Sequence, residues 1–191
     1  PAFKIASFEL VDLPLLKRAA RTGKPIILST GMATLEEVDE AVRAVGAAGP
    51  SALALLHCAS AYPAPAAEMN LRGLVRLAER FRLPVGLSDH TLEAAVPPAA
   101  VALGASIVEK HLTLRRADGG PDAAFSLEPD EFRAMVHGVR TAWQALGHAE
   151  IGPRASEIAA RRLRRSLFVV ADVKSGQTFS AENVRSIRPG G

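Results

Sequence analysis

With 191 residues, 48% of them hydrophobic and 23% charged, the chain is long enough to bury a core and too apolar to stay disordered. Its single cysteine, Cys58, excludes a disulfide framework and points to a reducing, cytoplasmic setting, and no run approaches the ~18 apolar residues of a membrane span. The formal charge of +3 is uneven, with 15 basic and 17 acidic residues up to position 150 against eight and three after it. The basic excess centres on Arg161, Arg162, Arg164 and Arg165, which have no interleaved aromatics and no nucleic-acid module around them. That run reads as solvated surface, and neither nucleic acid nor membrane is an expected partner.

In chain order, short apolar runs at 3–7, 25–29, 52–58, 84–88 and 106–111 read as strands buried on both faces. Between them, 13–22, 35–48, 70–81 and 92–103 carry apolar residues at helical spacing, and a further helix spans 130–146. Thr34 and Glu37 form a capping box ahead of the second helix, and Glu128 and Asp130 bring acids to the start of the last. Strict alternation of five strands and five helices predicts right-handed βαβ units and a parallel sheet. Such a sheet is either doubly wound or a barrel. No Gly-rich phosphate fingerprint follows the first strand, whereas polar residues recur at the C-terminal strand ends, where a (β/α)8 barrel keeps its chemistry. The expected fold is therefore α/β, a partial barrel of five βα units over 1–150. The chain opens at Pro1 directly in strand-like sequence, as the later part of a barrel whose first strands lie upstream would. A linker over 151–165 and the start of a small β-rich domain over 166–191 follow, with a strand at 166–171, a turn at 174–177 and a short helical turn at 180–183.

Two histidines stand out. His90 and His111, 21 residues apart, each end an apolar strand, and one helix separates them. Neighbouring parallel strands are ~4.8 Å apart, so the two imidazoles can converge on one Zn, Mn or Fe ion, or each can be a separate hydrogen-bonded strand-end residue. Alternation along a strand sends Asp89 and His90 to opposite sides, whereas Glu109 and His111 share one; either acid could orient an imidazole or cap a helix. Lys4, Ser7, Ser29, Ser60 and Ser88 add one cation and four hydroxyls at the same rim, the donors an anion needs. Asp118-Gly119-Gly120-Pro121-Asp122 is a polar loop beyond the last strand. His57 and Cys58 are adjacent and point apart, so Cys58 reads as a buried structural thiol rather than a nucleophile. His137 and His148 read as surface residues.

At these residues the chain resembles the sialic acid synthase family. The matching stretches are KIASFE at 4–9, KPIILSTGMATLEEV at 24–38, HCASAYPAP at 57–65, GLSDHTL at 86–92, ALGASIVEKHLTL at 102–114 and GGPDAAFSLEP at 119–129. The tail RRSLFVVADVKSGQTFSAENVRSIRPG at 164–190 is similar to the opening of the family's small antifreeze-like (SAF) domain. Residues 115–129 look more like the pseudaminic acid branch than the N-acetylneuraminate branch.

The resemblance implies condensation of phosphoenolpyruvate with a 2,4-diacetamido-2,4,6-trideoxy hexose and water, giving pseudaminic acid and phosphate. N-acetylneuraminate or legionaminate synthesis is the alternative, and a catalytically inert piece is the alternative of another class. By motif, it places a divalent metal, Mn2+ or Mg2+, on His90 and His111, with Asp122 joining them in the catalytic set. It places phosphoenolpyruvate on Lys4, Ser7, Ser29 and Ser88, and the N-acylated amino sugar on Tyr62 and Asp122. Ser60 stands where the neuraminate branch tends to carry Asn, and Glu93 stands where Gly is usual. Arg188 matches the small-domain arginine that reaches a partner subunit's site, which implies a domain-swapped homodimer. Other parts of the family's site come from strands upstream, so these 191 residues alone are expected to be inactive and poorly soluble.

Overall fold

The computed structural model describes residues 1–188 and 190. The backbone forms two compact units, one ending at Gly147 and the other beginning at His148. In the first, β1 (Phe3–Ile5), β2 (Ile26–Ser29), β3 (Leu53–Cys58), β4 (Val85–Asp89) and β5 (Ile107–Lys110) form one parallel sheet in sequence order. Helices α1 (Leu13–Ala20), α2 (Leu35–Ala48), α3 (Arg72–Phe81) and α4 (Val96–Ala102) connect the strands, and α5 (Pro129–Leu146) follows the last.

The sheet is curled. Four strand spacings would set β1 and β5 about 19 Å apart in a flat sheet. Instead Lys4 Nζ on β1 lies 3.6 Å from Glu109 Oε1 on β5. This is the wall of a partial barrel, as the alternation predicts. Register sorts the side chains into two faces. Lys4 pairs with Ile27, Ser29 with Leu56, Cys58 with Ser88, and Ser88 with Glu109, which puts all of these on the concave face. The other parity, Ile5, Ile26, Leu28, Leu53, Leu55, Val85 and Leu87, joins Leu16, Val38, Val45 and Leu74 from the helices in the buried core. Apolar runs therefore make the sheet, and the helices cover only its convex side.

Local chemistry sets the element ends. Asp12 Oδ1 accepts the Leu15 N–H at 3.0 Å to start α1, and the Thr34–Glu37 capping box opens α2, its two bonds 2.7 and 3.2 Å long. Two expectations need correction here. The first strand stops at Ile5, and Ser7 begins a 3-10 turn, Ser7–Glu9. The helix expected from residue 92 begins only at Val96, because Pro97 and Pro98 lack the N–H that a helix interior requires and fit only its first turn.

The second unit contains β6 (Ser166–Val169) and β7 (Val184–Ile187), paired antiparallel. The turn expected at 180–183 is present, but it leads into β7, a strand not anticipated from the sequence. Asn183 fixes this turn: its Oδ1 accepts the Ser180 N–H at 2.8 Å and its Nδ2 donates to the Thr178 carbonyl at 3.2 Å.

Candidate active site

His90 follows β4 and is buried. Its Nδ1 lies 2.9 Å from the carbonyl of Ala59, which can only accept, so Nδ1 carries a proton and a neutral ring keeps its lone pair on Nε2. His111 follows β5, half-buried, with Nδ1 3.6 Å from Asp122 Oδ2. The two ring centroids are 5.3 Å apart, nearly edge to face. Tyr62 stacks on His90 at 4.3 Å and lies 6.0 Å from His111, and Phe125 closes the group at 5.1 Å from His111. Residues from three segments that are distant in sequence thus meet at the strand ends.

Beside them lie the cation and hydroxyls that the sequence singles out for an anion. Ser88 Oγ donates to Glu109 Oε1 at 2.7 Å, the same oxygen that faces Lys4 Nζ. With Lys110 and His111 these groups line a hollow of about 270 Å³. The Gly31 N–H donates to Ser7 Oγ at 3.0 Å, and Ser60 Oγ is 3.9 Å from Cys58 Sγ. A Cβ on Gly31 would come within 2.2 Å of Ser60 Oγ and 2.8 Å of Ser7 Oγ, so only glycine lets those two hydroxyls close around this turn. Ser29 is 2% exposed and its hydroxyl has no partner among the described residues. A buried hydroxyl left without a partner costs about 1–3 kcal/mol, so this one is poised for a ligand or a water.

Electrostatics couples the cluster. Burial opposes ionisation of the Cys58 thiol, but His90, Ser7 and Ser60 outweigh it and hold its pKa below the ordinary value. Burial likewise disfavours charge on His90, yet Cys58 and the Ala59 carbonyl raise its pKa. His111 moves the other way, lowered by burial and by the adjacent His90 against the pull of Asp122. The Tyr62 hydroxyl is raised by burial and then by Cys58, Asp122 and Glu109.

The structure therefore gathers His90, His111, Tyr62 and Asp122 into one cluster and lines up Lys4, Ser88 and Glu109 next to it. Ser7 and Ser60 meet at Gly31. Arg188 is exposed in the second unit. Neither acid considered as an imidazole-orienting partner takes that role: Glu109 bonds Ser88, and Asp89 turns to the convex face and bonds Lys110. Cys58 and His57 do point apart, and the Cys58 Sγ, read from sequence as structural only, lies 3.7 Å from His90 Nδ1. His57, on the opposite parity, binds the Met69 carbonyl at 2.7 Å. Gly31 and Phe125 were not singled out from sequence, Cys58 was read only as a structural thiol, and Glu109 only as an imidazole-orienting or capping acid. Parity across neighbouring strands is the signal that would have found Cys58 and Glu109. Among the described residues no three His, Cys, Asp or Glu side chains form a ready metal group. The two imidazoles fit a divalent ion all the same, as two nitrogen donors that leave positions open for water and substrate oxygens.

The profile of the NeuB family matches residues 1–151. The chain belongs to the NeuB family. It is 42% identical to pseudaminic acid synthase of Helicobacter pylori over 99% of this chain and 56% of that one. It is 41% identical to N,N'-diacetyllegionaminic acid synthase of Campylobacter jejuni over 98% and 57%. Among solved structures, N-acetylneuraminic acid synthetase of Leptospira borgpetersenii superposes with a TM-score of 0.75 at 37% identity, over 83% of this chain and 55% of that one. The chain thus spans a little over half the length of the relatives it matches.

Proposed function

We propose that this chain carries the metal-binding and much of the phosphoenolpyruvate-binding part of a nonulosonic acid synthase, and that the sugar it takes is a 2,4-diacetamido-2,4,6-trideoxy hexose, giving pseudaminic acid. The observation that carries this reading is the convergence of His90 and His111 beside the row of Lys4, Ser88 and Glu109. Support for the sugar comes from the 115–129 loop and from relatives bearing the pseudaminic acid name.

In this reading His90 Nε2 and a ring nitrogen of His111 hold a divalent cation. When bound, the cation supplies a Lewis acid for the sugar's carbonyl. The Lys4 ammonium and the Ser29 and Ser88 hydroxyls hold the phosphate and carboxylate of phosphoenolpyruvate, which orients its C3 toward the carbonyl carbon. Glu109 Oε1 accepts from Ser88 Oγ and faces Lys4 Nζ, which keeps the two side chains together until the anion arrives and the Ser88 hydroxyl turns its single hydrogen to it. Asp122 and Tyr62 contact the sugar, and the depressed pKa of His111 keeps its nitrogen free at neutral pH. The C2=C3 pair of phosphoenolpyruvate forms the bond to the carbonyl carbon while the C=O π pair goes to the sugar oxygen. Water adds to the cation left at C2, and its released proton neutralises that alkoxide. The C2–O bond then breaks, phosphate leaves with the bridging oxygen, and the C2 hydroxyl gives up its proton to become the ketone.

The test is phosphate release from phosphoenolpyruvate by the full-length gene product. It is offered the 2,4-diacetamido hexose, its legionaminate-type epimer or N-acetylmannosamine, each with Mn2+. The first sugar should give the highest kcat/KM. A preference for either of the others moves the assignment to that branch, and no release with any of the three refutes the synthase reading.

A further inference from the structure

Asp89 and Lys110 carry none of the chemistry above, yet each stands one residue before a site histidine. They are register partners across β4 and β5, turned by parity to the convex face while His90 and His111 occupy the concave one. Lys110 Nζ lies 2.7 Å from Asp89 Oδ2 and also donates to the Thr91 carbonyl, and Asp89 Oδ1 accepts the Thr91 N–H at 2.9 Å. Both side chains are shut off from solvent, at 2% and 0% exposure.

A buried ion pair is seldom more stable than apolar residues of the same volume, so stability does not account for this one. Its position does. The β4 ladder ends at Asp89 and that of β5 at Lys110, so no backbone pairing between these strands holds them together beyond those residues, where the histidines stand. The bridge takes over at that point. His90 is bracketed by residues 89 and 91, and Lys110, the residue before His111, is bonded to both. We infer that the Asp89–Lys110 pair is a positioning clamp that sets the height and rotation of one imidazole relative to the other, and so the geometry of the two-histidine site. This rests on the reading of His90 and His111 as one site and is independent of which sugar is used.

The clamp separates from a purely structural role in the double variant D89N/K110M of the full-length gene product, which removes both charges at nearly constant volume. Two readouts apply: contact cross-peaks between the ring protons of 13C-labelled His90 and His111 in metal-free protein, and the Mn2+ dissociation constant from electron paramagnetic resonance. The variant should unfold close to the wild-type midpoint, lose the ring contact and bind Mn2+ about 10- to 100-fold more weakly. Lys110→Arg, which keeps a charged donor, should retain both the contact and the affinity. A folded double variant with wild-type ring contact and Mn2+ affinity overturns the clamp. If the double variant does not fold, Asp89→Glu decides: it keeps both charges paired but moves the carboxylate by one methylene, which should weaken both readouts, and no change in either overturns the proposal. Wild-type protein that shows the ring contact but takes up no Mn2+ would refute the metal reading, and the ring contact then tests the clamp by itself.

Discussion

Gly86→Ala is the sharpest test of the curled sheet. Gly86 lies on β4 between Leu56 of β3 and Ile107 of β5, its register partners, on the crowded concave face. A Cβ there would sit 2.4 Å from the Ile107 carbonyl oxygen, 2.7 Å from Ile107 Cβ and 2.7 Å from Leu56 Cδ2. Leu56 can rotate away, but the two Ile107 atoms are fixed by the strand. Ordinary contact requires β5 to retreat by about 1 Å, against hydrogen bonds that hold strands ~4.8 Å apart. Overpacking of this kind costs about 3 kcal/mol, the upper end of its range, and the lost backbone freedom of the unfolded chain returns about 0.5–1. The net loss is about 2 kcal/mol, which at an m-value of about 2 kcal/mol/M lowers the urea midpoint by about 1 M. Gly46→Ala is the matched control: in α2 and exposed, its new Cβ meets nothing within 4 Å. It should gain about 0.5–1 kcal/mol from helix propensity alone. A Gly86→Ala midpoint at or above wild type would show that β4 is not packed against β5 as described, and the placement of His90 relative to His111 would fall with it.

Three further predictions follow from the site and its surroundings. His90→Ala or His111→Ala should each lower kcat by at least about 100-fold in the full-length gene product and weaken Mn2+ binding while the far-ultraviolet circular dichroism stays unchanged; activity that survives exhaustive chelation would refute the metal assignment. Arg116 bonds Glu131 in two places, and that contact, aided by the Glu128 N–H, lowers the Glu131 carboxyl to about 2. A depressed carboxylate contributes stability above its unfolded pKa and loses it as pH falls through the folded value, so the stability difference between wild type and Glu131→Gln should be constant above pH ~5 and shrink toward pH 2 in urea titrations. If Arg188 serves a partner subunit's site, an inactive His90→Ala protein mixed with an inactive Arg188→Ala protein should recover activity after subunit exchange; exchange without recovery would assign Arg188 elsewhere.

Much of this was legible in the sequence, and the failures have definite causes. Five apolar runs found the five strands, because a strand covered on one face by helices and filled on the other by a curled interior must be apolar on both. The Thr34–Glu37 box located the start of α2 to the residue. Periodicity misplaced the start of α4, because it counts Pro97 and Pro98 as apolar and ignores their missing N–H groups. β7 was hidden because Val184-Arg185-Ser186-Ile187 is short, polar in its middle and largely exposed, so no burial pattern marks it. In the site, alternation separated Asp89 from His90 and paired Glu109 with His111, and both assignments hold. The partner of each acid did not follow. Alternation within one strand says which face a residue takes, but whether Glu109 meets Ser88 or an imidazole depends on the register between strands, which no single strand encodes.

Register also explains why the chemistry is concentrated at β4 and β5. Two successive rungs of the same ladder do opposite things. Ser88 and Glu109 meet on the concave face, where they present a hydroxyl and a carboxylate to the hollow beside Lys4. One rung later Asp89 and Lys110 pair their charges on the convex side, buried. The next residues, His90 and His111, return to the concave face with no ladder left between these two strands to hold them. A shift of β5 by one residue would exchange these roles: it would aim the Lys110 ammonium into the hollow, send Glu109 into the apolar layer under the helices, and turn His111 away from His90. Burial of an unpaired carboxylate beneath α4 would cost several kcal/mol, far more than the slipped ladder could recover. The charged residues flanking each histidine thus specify the register, and the register sets the spacing of the histidines.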